Sequence, residues 1–95
     1  MSMNKHSQQT DLECIHGCKR LIGFYWIEWV LPYTTKHGAR MLKIRISDIN
    51  ARLTVYWFVD GPEAGLQPGK YIQLEAALKN LPSGQYWRVV WWEGM

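Results

Sequence analysis

Two stretches of the chain alternate between apolar and polar side chains with a period of two. In residues 40–47 the apolar set is Leu42, Ile44 and Ile46, and the polar set is Lys43, Arg45 and Ser47. In residues 52–59 the apolar set is Leu53, Val55, Trp57 and Val59, and the alternate set is Arg52, Thr54, Tyr56 and Phe58. This period is typical of half-buried strands. The pattern therefore predicts a β-hairpin with one apolar face and one basic, aromatic face.

The register of this hairpin follows from its two faces. With residues 48–51 as the loop, Ser47 lies opposite Arg52, Arg45 opposite Thr54, and Lys43 opposite Tyr56. A slip of one residue would turn the cationic side chains into the core, so this register is the one that the pattern predicts.

The other apolar stretches predict three further strands and one helical turn. Residues 19–31 are apolar at both parities, which predicts a strand that is covered on both sides, with a bulge or bend at Gly23. A turn-rich loop at 60–65 and a type II turn at Pro68-Gly69 follow the hairpin. Residues 71–74 predict a short strand, 75–80 one or two helical turns, and 85–92 the last strand.

Five strands and one short helical turn in 95 residues predict a mainly β fold, a small antiparallel barrel in a single domain. An OB-like barrel is the leading interpretation, although that fold usually places its helix before the fourth strand, and an SH3-like barrel is the alternative. Residues 1–13 are polar and predict a flexible N-terminal tail, which leaves residues 14–95 for the barrel.

The aromatic content adds an expectation about assembly. The chain holds six Trp, and Trp87, Trp91 and Trp92 lie in the predicted last strand. Tryptophans on a sheet edge would leave an apolar patch that a monomer rarely tolerates, so we expect a homodimer.

No stretch reaches the ~20 apolar residues of a membrane span, and residues 1–11 have no signal-peptide core. We therefore expect a cytoplasmic protein without membrane contact.

The net charge of +3 is concentrated in the middle of the chain, where residues 36–52 contain five cations and a single acid, Asp48. Basic side chains interleaved with aromatic rings are the combination that binds single-stranded nucleic acid. The candidate binding residues are Lys36, Arg40, Lys43, Arg45, Arg52, Tyr56 and Phe58. The alternatives are a solvated sheet face for the cations and packing under another strand for the two rings.

The sequence favours a binding protein over an enzyme. It contains no nucleophile elbow, phosphate-binding glycine loop or His-Glu-x-x-His, and its acids are scattered singly. Cys14, His16 and Cys18 form a possible zinc-binding group with His6, but the second ligand pair of a usual zinc site is missing. We expect two reduced cysteines, no cofactor and no catalytic residue.

Residues 53–92 resemble the C-terminal half of the small single-stranded DNA-binding proteins of filamentous phages. The resemblance rests on Asp60-Gly61, Pro68-Gly69, the strand Tyr71-Ile72-Gln73-Leu74 and the step Gly84-Gln85-Tyr86. It implies an OB-like fold, a homodimer and binding of single strands without sequence preference. The N-terminal cysteines and the many tryptophans depart from that family. The rival hypothesis is a protein-interaction module, such as a phage- or plasmid-type regulator of a host enzyme, that binds its partner through the Trp-rich strands 24–30 and 86–92.

Overall fold

The structure, a computed structural model, describes residues 9–59 and 66–94. Within them lie five strands and one 3₁₀ turn. The 3₁₀ turn is Leu12–Cys14, and the strands are β1 (Arg20–Thr34), β2 (Arg40–Ser47), β3 (Arg52–Phe58), β4 (Tyr71–Leu81) and β5 (Gly84–Gly94). No helix in this part of the chain is long and apolar enough to cross a membrane.

The strands close into a barrel in the order β1-β2-β3-β5-β4. The predicted five-stranded barrel is therefore confirmed. Four of the five neighbouring pairs are antiparallel, and the exception is β3 with β5, which run parallel with Val55 beside Trp87 and Tyr56 beside Arg88. A closed ring with an odd number of strands cannot alternate direction all the way around, so one neighbouring pair must be parallel.

The β2–β3 hairpin has the predicted register. Ser47 pairs with Arg52, Arg45 with Thr54, and Lys43 with Tyr56. The apolar face points inward, and its buried members join the barrel core: Leu42, Ile44, Ile46 and Val55.

A bulge in β1 explains why this strand is apolar at both parities. Ile27 pairs with Ile46 and Trp29 pairs with Arg45, so Glu28 is an extra residue opposite β2. Before the bulge, Tyr25 and Ile27 are buried in the core; after it, the parity reverses and Val30 packs against the core. The predicted bulge at Gly23 is absent, because Gly23 pairs with Leu74 in an uninterrupted ladder; the alternative, a bend, stays a prediction.

The predicted helical turn at residues 75–80 is also wrong, because β4 continues through it to Leu81. Residues 72–77 are all buried, whichever face they occupy, and β5 pairs with the whole length from Ile72 to Leu81. This pairing overrides the helical preference of Glu75-Ala76-Ala77-Leu78. Since β1 pairs only with residues 71–77, the end of the β4–β5 hairpin projects beyond the barrel.

The Pro68-Gly69 turn fits the prediction: Gly69 has a φ of 81°, as the third position of a type II turn requires.

The predicted boundary between tail and domain at residue 13 is misplaced. The backbone N–H of Thr10 donates to the Ile22 carbonyl at 2.8 Å, and the Tyr25 hydroxyl donates to the Thr10 carbonyl at 2.5 Å. Leu12 is buried in the core. Because β2 pairs with β1 only from Trp26 onward, the first half of β1 has an edge that residues 9–12 cover. Residues 1–8 of the predicted tail, and the loop predicted at 60–65, lie outside the described residues.

Asp48 joins this N-terminal segment to the hairpin loop. Its carboxylate accepts backbone N–H groups from Leu12, Asn50 and Ala51, each at 2.9 Å. Partial burial acts to raise the pKa of Asp48, but these N–H groups outweigh it and the pKa is lowered. Burial, and after it the negative charge of Asp48, raises the pKa of the Tyr25 hydroxyl, which stays protonated as a hydrogen-bond donor.

Candidate nucleic-acid interface

The candidate site is the outer surface of β2 and β3, together with the end of β1 and the start of β5. The inward direction of Leu42, Ile44 and Ile46 leaves Lys43 and Arg45 outside, and the pairing with β1 and β5 brings further rings beside them. We call this surface the basic–aromatic face; its members are Trp29, Tyr33, Lys43, Arg45, Tyr56, Phe58, Tyr86 and Arg88.

Three tyrosines form a row across the face. The ring centroids of Tyr33 and Tyr56 are 6.1 Å apart with an interplanar angle of 61°, and those of Tyr56 and Tyr86 are 5.8 Å apart at 81°. The rings come from β1, β3 and β5, so the row runs across the strands. Edge-to-face contacts of this kind hold each ring in place.

Two arginines lie on rings beside this row. The guanidinium of Arg45 is 5.2 Å from the centroid of the Trp29 ring, and that of Arg88 is 4.2 Å from the centroid of the Phe58 ring. The Nε of Arg45 is buried and has no hydrogen-bond partner among the described residues. Ring contact, rather than an ion pair with a described carboxylate, therefore orients Arg45.

The structure separates the predicted binding residues into two groups. Lys43, Arg45, Tyr56 and Phe58 lie together on the basic–aromatic face. Arg52 instead forms an ion pair with Glu28, with 3.1 Å between Nε and Oε2. Arg40 lies on the same side of β2 as Leu42, so it does not belong to this face; as the first residue of β2 it is exposed at the end of the barrel. Lys36 is exposed in the turn between β1 and β2.

Four members of the face were not among the predicted site residues: Trp29, Tyr33, Tyr86 and Arg88. The alternation in the last strand does put Tyr86 and Arg88 on one side, but only the parallel pairing of β3 with β5 brings them beside Tyr56 and Phe58. Trp29 and Tyr33 follow the β1 bulge, and a regular strand would give them the opposite parity. No local signal in the sequence marks either event.

The tryptophans that suggested an apolar interface are largely used within the barrel. Trp87 is buried in the core, and Trp57 and Trp92 pack against it. The indole N–H of Trp91 donates to Glu75 at 2.9 Å. Trp26, at 37% exposure, is the one Trp among the exposed large apolar residues of the described chain. Because these tryptophans pack within the barrel, they no longer argue for an apolar interface between two chains. The oligomeric state itself is not tested, so the homodimer remains a prediction.

The cysteine segment offers little for a metal. Cys14 and His16 are exposed, and the thiol of Cys18 contacts the Cys14 carbonyl at 3.4 Å. Among residues 9–59 and 66–94, no group of three His, Cys, Asp or Glu side chains is placed to hold a metal ion. His6, the further ligand considered for zinc, lies outside this part of the chain.

Comparison with known proteins supports the architecture alone. No protein-family model and no curated protein matches the chain. A solved structure described as "Structural mimicry for functional antagonism" superposes with a TM-score of 0.70 over 92% of this chain, at 13% sequence identity. The chain covers 45% of that protein, which is thus more than twice as long. At such low identity the likeness shows the fold and nothing about binding.

Proposed function

We propose that this protein binds single-stranded DNA or RNA through the basic–aromatic face and catalyses no reaction. The observation that carries the proposal is the row of Tyr33, Tyr56 and Tyr86 with cationic side chains beside it. Lys43 on β2 and Arg88 on β5 are the strand neighbours of Tyr56, and Arg45 lies further along β2 on the same face.

The spacing of the tyrosines favours single strands over duplexes. Neighbouring rings are 5.8 Å and 6.1 Å apart, whereas successive bases in a duplex strand are about 3.4 Å apart. One base can therefore stack on each ring only if the bases have separated from one another. Part of the ring surface is available for that contact, since Tyr33 is 49% exposed and Tyr56 and Tyr86 are partly exposed.

The cations supply the part of the affinity that depends on salt. Lys43, Arg45 and Arg88 flank the row without an ion pair to a described carboxylate, so each can bind a phosphate. Three contacts to a single strand predict that log affinity falls with log salt with a slope of about −2. Arg52 contributes less to this proposal than the sequence suggested, because binding a phosphate would require it to leave Glu28.

The strand order gives the proposal a structural context. We infer that the barrel is of the OB type, in which the β2–β3 face and the loops β1–β2 and β4–β5 bind oligonucleotides. In this chain the first of those loops carries Lys36, and the second is the projecting β4–β5 hairpin that begins beside Tyr86. The row of tyrosines runs between them.

The test is a titration of fluorescein-labelled oligothymidine at about 50 and 200 mM salt. Tyr56→Ala should weaken binding by ~1–3 kcal/mol and leave the salt slope unchanged, because stacking releases no counterions. Lys43→Ala and Arg45→Ala should each reduce the slope by about 0.7. Tyr71→Ala and Lys19→Ala are matched controls, since both side chains are exposed and lie outside the face.

Two results would contradict the proposal. If the unmodified protein fails to bind any single strand at low salt, the basic–aromatic face is only a solvated sheet surface. If Tyr71→Ala weakens binding as much as Tyr56→Ala does, the row of tyrosines is not the place where bases stack.

A further inference from the structure

A second surface feature lies where the middle of β1 meets the start of β4 and the β2–β3 loop. It is an open groove of about 720 Å³. The groove is lined by Gln9, Asp11, Trp26, Ser47, Asp48, Ile49, Asn50 and Tyr71. The proposed function makes no use of this groove.

Two aromatic rings form one corner of the groove. Trp26 and Tyr71 are neighbours across the β1–β4 ladder, with ring centroids 4.9 Å apart and an interplanar angle of 66°. Trp26 is 37% exposed and Tyr71 is 55% exposed. Ile49, at the tip of the β2–β3 loop, is 97% exposed. The groove thus presents ring surface and an aliphatic side chain to solvent.

The described lining of the groove is acidic. Asp11 and Asp48 belong to it, and no described Lys or Arg does, although the whole chain carries a net charge of +3. Backbone N–H groups hold the Asp48 carboxylate, while Asp11 accepts the Glu13 N–H at 3.0 Å and the Asn50 side-chain amide at 3.3 Å. These bonds fix both carboxylates in position and leave them further lone pairs for an incoming donor.

We propose that this groove is a docking site for a segment of another protein that carries an arginine next to apolar residues. A guanidinium can lie on the exposed ring surface of Trp26 or Tyr71 and donate to the fixed carboxylates, while its apolar neighbours cover Ile49. A phosphate backbone is repelled by the same carboxylates. The site is therefore distinct in chemistry from the basic–aromatic face, and it stands whether or not that face binds nucleic acid.

The probe is the peptide acetyl-leucyl-arginyl-leucyl amide, compared with the same peptide containing citrulline, which has nearly the same shape as arginine and no charge. Each is titrated into the full ¹⁵N-labelled chain, and the indole N–H of Trp26 and the backbone N–H of Ile49 and Asn50 are followed. The arginine peptide should shift these signals saturably, and the citrulline peptide should bind roughly fivefold more weakly.

Variants identify the surface. Tyr71→Ala should weaken binding of the arginine peptide and leave oligothymidine binding unchanged. Tyr33→Ala, which removes a tyrosine of similar exposure from the basic–aromatic face, should leave peptide binding unchanged. Equal affinity for the two peptides, or no shift with either, would overturn the proposal. Groove signals that move when the protein is diluted would assign the site to a second copy of this chain. Groove signals that move when oligothymidine is added would assign it to nucleic acid. Either result also overturns the proposal.

Discussion

Replacing Asp48 should destabilise the protein more than its position in a surface loop suggests. The carboxylate accepts three backbone N–H groups at 2.9 Å, one of them from Leu12, which lies far away in sequence and is buried in the core. A hydrogen bond to a charged group contributes about 1.5–3 kcal/mol when fully shielded from water. Asp48 is only half-buried, and the N–H groups of Asn50 and Ala51 can bind water instead. We therefore expect Asp48→Ala to cost about 2–3 kcal/mol and Asp48→Asn about 1–2 kcal/mol.

Urea denaturation followed by far-UV circular dichroism measures this cost. For a domain of this size, a slope of about 1 kcal/mol per molar urea converts the loss for Asp48→Ala into a midpoint lower by about 2–3 M. Glu13→Ala is a suitable control, because the Glu13 carboxylate is exposed in the same segment. It should leave the midpoint within experimental error.

The stability difference should also depend on pH. The pKa of Asp48 is lower in the folded state than its usual value, so the unfolded chain binds a proton at this group more readily. The stabilisation is therefore fully present above the unfolded pKa of about 3.9 and is lost as the pH falls through the folded pKa. The gap between the wild type and Asp48→Asn should be full at neutral pH and should shrink below about pH 4. A gap that is absent at neutral pH, or that does not shrink in acid, would refute the role assigned to Asp48.

Two further predictions concern the N-terminal segment and assembly. A Cβ at Gly23 would lie 2.7 Å from the Gln9 side-chain oxygen, so Gly23→Ala should displace that amide from Phe24 and cost about 1 kcal/mol. In a Gln9→Ala background the same change should be neutral or stabilising, and a double-mutant cycle in urea that shows simple additivity would contradict this. For the predicted homodimer, light scattering should give twice the chain mass; a monomer at ~100 μM would exclude an obligate apolar interface.

Only about half of the basic–aromatic face could be predicted from the sequence. Lys43 and Tyr56 lie side by side as the alternation predicts, because facing residues in a hairpin are related by the loop between them. Tyr33 and Tyr86, the outer members of the row, belong to strands that are distant in sequence from this hairpin. Their positions depend on the bulge at Glu28 and on the closure of β5 against β3, which are properties of the whole barrel.

The sequence by itself determined the β2–β3 hairpin, its register, its two faces and the number of strands. The hairpin, its register and its faces follow from a period of two, which the geometry of a single strand imposes on any chain that buries one face. The number of strands follows from the apolar stretches and the turns between them. Only the tertiary structure decided that residues 75–80 form a strand, that Gln9–Leu12 belong to the barrel, and that an acidic groove lies beside Trp26. In the last two cases the deciding contacts join residues far apart in the chain, whereas residues 75–80 are held by pairing with β5 across a short turn. Pairing with β5, the uncovered edge of β1 and the Asp48 carboxylate outweigh the local preferences of the segments that they hold.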